Sequence, residues 1–173
     1  PDLNFALTFS ANWKIQNLPD RVVAVSPDRS AQIQLTLMQS SQAMTPEQVV
    51  EQSGVSSFSN PIRLNNGGLS GLSGLTKVRS QAGEHLARLS VIVDGKNAYL
   101  LTGVTKDKAS FSKYDPTLLA NAKSFRRLGA SERKKIRPQK IRVVKLTGQL
   151  SWASLARVSP LDKLPIDHLK MLN

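Results

Sequence analysis

Two histidines, His85 and His168, and a run of glycines are the residues on which a chemistry could be built. A hydrolytic zinc takes about three protein ligands and leaves one position open. Here Glu84-His85 is an isolated pair at the mouth of an expected strand, and His168 falls on the polar side of the expected last helix. No H-E-x-x-H joins them. Serines are plentiful, but no G-x-S-x-G accompanies them, so no activated nucleophile is expected. The stretch "NNGGLSGLSGLTKV" contains Gly67, Gly68, Gly71 and Gly74. A phosphate-cradling loop needs a Gly-Lys-Ser/Thr step that leads into a helix. This run lacks the step and leads into a strand, so it reads as a flexible hairpin loop whose leucines dip onto a sheet. No catalytic residue, cofactor or metal ligand is assigned within the chain.

The elements around these residues belong to a folded protein. The 40% hydrophobic content suffices for a core, built mainly of aliphatic residues because aromatics make up only 5%. Cysteine is absent, which removes disulfides and thiolate metal sites. No stretch approaches the ~18 apolar residues that a transmembrane helix needs. The chain shows no signal-peptide pattern and begins at Pro1, so it is read as a mature or excised piece.

Charge is concentrated. Of the net +12, the window Arg126 to Lys145 supplies +8, from nine Lys or Arg against the single acid Glu132. Arg126, Arg127, Arg133, Lys134, Lys135 and Arg137 are the candidate contacts for an anionic partner. Aromatics are not interleaved with them, so a solvated linker is expected and sequence-specific nucleic-acid binding is not.

"FALTF" alternates Phe5, Leu7 and Phe9 on one face, and "ANWKIQN" offers Trp13 and Ile15 on one side of a second short strand. "RVVAVSPD" turns at Pro27-Asp28 into Ala31, Ile33, Leu35 and Leu37, which predicts a hairpin. "TPEQVVEQSG" predicts a helix with Thr45 as N-cap, Pro46 in the first position and Gly54 as its stop. Asp94-Gly95 between two apolar runs predicts another hairpin. "DPTLLANAKSFRRL" predicts a helix capped by Asp115, with Leu118, Leu119, Ala122 and Phe125 on one face. The expected first domain, 1–128, is α+β, an antiparallel sheet with a few packed helices. A basic linker, 129–138, follows, then a strand-helix-helix module over 139–173.

The last segment, "RVVKLTGQLSWASLARVSPLDKLPIDHLKMLN", resembles a LysM module, a small domain that binds N-acetylglucosamine polymers. Gly148 matches the glycine of its first turn, "SWASLA" its first helix and "IDHLKMLN" its second. Gly148-Gln149-Leu150 stands where the family has Gly-Asp-Thr, and the family's second strand is not reached before Asn173. The resemblance implies glycan or partner contacts at Gly148, Gln149, Leu150, Trp152 and Asn173. Trp152 and Leu155 share a helical face with Ala156, so an inward-packed stripe of Trp152, Leu155 and Leu169 is expected.

The upstream segment "LTFSANWKIQNLPDRVVAVSPDRSAQIQL", with "SFRRL" and "IRPQKIRVV", resembles the C-terminal region of bacterial envelope metallopeptidases of the HtpX-like type. The first domain alone is also similar to non-catalytic PsbP-like lipoprotein domains. These resemblances imply an accessory region in the periplasm or cell envelope, with peptidoglycan or another envelope protein as partner. They place the zinc in an attached catalytic domain outside this sequence. Two alternatives stay open, a free-standing envelope binding protein and a nucleic-acid binder acting through the basic block.

Overall fold

A computed structural model describes residues 4–80, 83–135, 151–157 and 166. The chain divides into two compact units, Pro1–Lys135 and Ile136–Asn173. In the first, β1 (Phe5–Ala6), β2 (Lys14–Asn17), β3 (Arg21–Val25) and β4 (Ala31–Gln39) precede α1 (Pro46–Gln52). Then come β5 (Ser59–Asn65), β6 (Ser70–Ser80), β7 (Gly83–Asp94), β8 (Asn97–Thr105), α2 (Lys108–Lys123), β9 (Arg126–Arg127) and α3 (Ala130–Lys135). Seven strands form one antiparallel sheet in the order β2-β3-β4-β8-β7-β6-β5, while β1 pairs with β9 in a separate two-stranded ribbon. The fold class is α+β, as expected.

The sheet buries both faces in different ways. On one, Ile33, Leu35, Tyr99, Leu101 and Ile92 form a core with Leu118, Ala122 and Phe125 from α2 and its C-terminal exit. On the other, Leu89, Val91, Val93 and Leu100 pack with Val49 and Val50 of α1. Helix α1 forms where Thr45 and Pro46 indicate. Thr45 accepts from the Gln48 amide while the Gln48 side chain accepts from the Thr45 amide, so two otherwise unpaired donors are satisfied.

Three local expectations are corrected. The glycine-rich stretch is not a loop beyond Leu69, because Ser70 onward is the long strand β6. A Cβ on Gly71 would lie 2.7 Å from the Val91 carbonyl oxygen, and one on Gly74 would lie 2.5 Å from the Phe58 ring. These glycines permit close approach. Asp115 does not cap α2 either. The helix begins at Lys108 on the Asp107 cap, whose side chain accepts from the Ser110 amide at 2.7 Å, and Pro116 lies inside the helix. Finally, Trp13 is buried but Ile15 is 53% exposed, since Trp13 lies before β2 and packs edge-on to Tyr114.

Buried Asn66, from the short turn before β6, closes the other end of α2. Its amide nitrogen donates to the carbonyl oxygens of Ala122 (2.8 Å), Lys123 (3.2 Å) and Phe125 (2.8 Å). Helix ends leave carbonyls without partners inside the helix, and here one side chain supplies them from a distant strand connection. Asn66→Ala should therefore destabilise the fold by about 1–3 kcal/mol, read by urea denaturation.

Candidate binding site

The histidine comes first. His85 is half-buried in β7 and borders a hollow of about 290 Å³ with Glu84, Leu86, Asp107 and Phe111. Each carboxylate there is committed elsewhere. Glu84 pairs with Lys77 at 2.9 Å, and Asp107 caps α2. The pairing with Lys77 and the capping amide of Ser110 hold these two carboxyls below their ordinary range. A general base would need the opposite shift, toward neutrality. Among the described residues no three metal-ligating side chains lie together.

A larger hollow, about 420 Å³, opens where the β2–β3 turn overhangs the sheet. Its walls are Phe5, Leu18, Val22, Leu35, Leu37 and Tyr99, with Asp20 and Arg21 at the rim. Several elements bring these together. Register places Val22 opposite Leu35, and Leu37 opposite Tyr99, so β3, β4 and β8 present them on one face. The β1–β9 pairing fastens Phe5 to the chain just past α2, where its ring stacks on Phe125 with centroids 5.0 Å apart. Leu18 is 43% exposed at the mouth. Ligand sites are typically concave and mostly apolar, with volumes of ~300–1,000 Å³ and a few polar groups. Only the rim carries formal charge. Arg21 donates to Asp20 at 2.7 Å and holds that carboxyl below its usual range, while burial pushes the Tyr99 hydroxyl up.

The basic block is divided by the fold. Arg126 pairs with Glu132 at 2.7 Å, and Arg127 pairs with Asp94 of the β7–β8 turn, so both belong to the sheet unit. Arg133 is exposed on α3, a helix that also includes Lys134 and Lys135. Arg137 lies outside the described residues. The Arg127 side chain, through its hydrogen bonds, holds the Asp94 carboxyl below its ordinary value. Its contribution to stability is therefore full above the unfolded-state value and lost as pH falls through the folded one. Asp94→Asn should remove this acid-side dependence at a cost below ~1 kcal/mol at neutral pH, because the pair is surface-exposed. Melting curves between neutral pH and acid check it.

Of the glycan candidates, Gly148, Gln149, Leu150 and Asn173 lie outside the described residues, as do His168 and Leu169. The described part of that unit includes α4 (Trp152–Arg157), where the Ser151 hydroxyl accepts from the Ser154 amide at 3.2 Å. Trp152 is 38% exposed and Leu155 half-buried, while Leu169, the third residue of the expected stripe, lies outside the described residues.

The groove itself escaped the sequence reading. Its residues were legible as alternating strand positions, yet nothing local marks the gap that α2 leaves above them.

No known family profile matches the chain, and no curated protein matches it. Solved structures do. A protein of Bacteroides thetaiotaomicron aligns over 75% of this chain at 10% identity, with a TM-score of 0.51. The alignment spans 47% of that protein, so this chain corresponds to about half its length. Cyanobacterial PsbP (CyanoP) from Synechocystis aligns over 70% of this chain and 85% of its own, at 11% identity and a TM-score of 0.50. LpqN of Mycobacterium tuberculosis, involved in cell envelope biogenesis, aligns over 72% and 83% at 10% identity, with a TM-score of 0.47. At such identities the likeness is one of fold, and the fold is PsbP-like. No described helix is long and apolar enough to cross a membrane.

Proposed function

We propose that this chain is a non-catalytic binding region that positions a bacterial envelope zinc metalloprotease at the cell wall or on a partner protein. The observation that supports it is the apolar groove of about 420 Å³ on a PsbP-like sheet, lined by aliphatic and aromatic side chains without an acid-base pair. Among the described residues no three metal-ligating side chains lie together, and in this reading the zinc is held by the attached catalytic domain. The HtpX-like sequence resemblance supplies the catalytic partner in this reading.

The purified chain should hold well under one equivalent of zinc by elemental analysis and leave casein intact. The reading frame upstream of Pro1 should encode an H-E-x-x-H helix. A full equivalent of zinc that His85→Ala abolishes would overturn the non-catalytic reading. A frame that opens immediately before Pro1 would overturn the attachment.

A further inference from the structure

The two edges of the main sheet differ. β5 carries Pro61, a register shift between Ser59 and Ile62, and Asn60 at φ +49°. Proline and bulges are the devices by which edge strands resist pairing with another chain. β2 has neither. All four of its residues are exposed, and no strand among the described residues pairs with its outer side.

Which backbone groups β2 offers follows from its turn. The Leu18 amide donates to the Arg21 carbonyl at 2.8 Å, closing the β2–β3 hairpin. Hydrogen-bonded pairs alternate along an antiparallel ladder, so Gln16↔Val23 and Lys14↔Val25 also bond inward. The N–H and C=O groups of Ile15 and Asn17 therefore face outward. Register assigns the side chains as well. Ile15 lies opposite Ala24, on the α2 side of the sheet that also holds the groove, whereas Lys14 lies opposite Val25 on the other side.

We propose that the free edge of β2 accepts an extended segment of a partner protein as an eighth strand, one alternating apolar with acidic residues. The apolar side chains would continue the surface of Ile15, which is 53% exposed, toward Leu18 at the mouth of the groove. The acidic side chains would meet Lys14, the exposed cation of β2. Strand addition draws affinity from main-chain hydrogen bonds and specificity from alternate side chains. The inference rests on the binding-region reading and names the surface and the class of partner.

The probe is a ten-residue blocked peptide of alternating valine and glutamate, added to the full chain while amide exchange is followed. Exchange at Ile15 and Asn17 should slow saturably by on the order of tenfold, while Lys14 and Gln16, already paired inward, change little. A peptide N-methylated at alternate residues, or one with lysine for glutamate, should have no effect. Ile15→Pro removes an outward N–H that β3 does not use, so it should abolish the effect in a chain that still melts cooperatively. If that variant does not fold, the comparison of the parent and N-methylated peptides decides on the unaltered chain. Absence of protection at Ile15 and Asn17, or equal protection by the N-methylated peptide, overturns the proposal. Concentration-dependent dimerisation lost in Ile15→Pro, without a peptide effect, assigns the edge to a second copy and overturns it too. Bound zinc or casein cleavage would count against the non-catalytic reading alone, so the two failures are distinguishable.

Discussion

Asp115→Ala is expected to destabilise the sheet unit by about 3–5 kcal/mol, lowering its melting temperature by on the order of 10 °C. Arg88 has a side chain only 6% exposed between the sheet and α2, and its guanidinium meets the Asp115 carboxylate in a two-pronged pair at 2.5 and 2.8 Å. Its third nitrogen donates to the Ser73 hydroxyl at 3.0 Å, which contacts the Ser90 hydroxyl at 2.7 Å. Removing the carboxylate strands a buried cation. A helix cap would be worth far less, about 1 kcal/mol, which is the loss expected for Asp107→Ala. The magnitude therefore separates the role Asp115 has in the fold from the one its place before Pro116 suggests. Replacing both partners, Arg88→Met with Asp115→Leu, should recover most of the loss, since a buried ion pair rarely outperforms well-packed apolar residues. Urea denaturation of the two single variants and the double variant reads all three values. A loss near 1 kcal/mol for Asp115→Ala would show that the pair is inconsequential.

Phe125→Ala should cost a similar amount, about 3–5 kcal/mol, through the cavity it leaves. The ring is 1% exposed, stacks on Phe5 and lies 4.7 Å from Tyr99 between centroids. Phe5 and Tyr99 are walls of the groove, so the same change should blur the site. The expected result is a large drop in denaturation midpoint together with loss of near-ultraviolet aromatic dichroism. Ile62→Ala, at a side chain 38% exposed on the sheet edge, should shift the midpoint by less than ~1 kcal/mol. Equal effects of the two changes would mean that the aromatic cluster does not organise the unit.

Much of the fold was legible because its signals are local. Asp94-Gly95 and Pro27-Asp28 specify their hairpins through turn geometry that neighbouring residues alone determine. In the second turn the Asp28 carboxylate accepts from the Ser26 hydroxyl at 2.7 Å and from the Ser30 amide at 3.1 Å. Thr45, Pro46 and Gln48 start α1 for the same reason. The glycines misled because glycine serves two purposes, positive φ and close packing. Gly67 and Gly68 have positive φ, at +61° and +87°, in the turn, while Gly71 and Gly74 lie in a strand against Val91 and Phe58. Nothing in their own neighbourhood distinguishes the two pairs.

By itself the sequence determined the α+β class, both hairpins, α1 and the inward positions Leu118 and Ala122 of α2. Each depends on periodicity or on a few adjacent residues. Only the tertiary structure decided that Arg88 finds Asp115, that Asn66 closes α2, and that β1 meets β9 across more than a hundred residues to hold Phe5 over the sheet. The groove and the open edge of β2 arise in the same way. A cavity is the space that packed elements fail to fill, and an edge is a strand whose partner is absent on one side. Both are relations among distant segments, for which no single stretch of chain carries a signal.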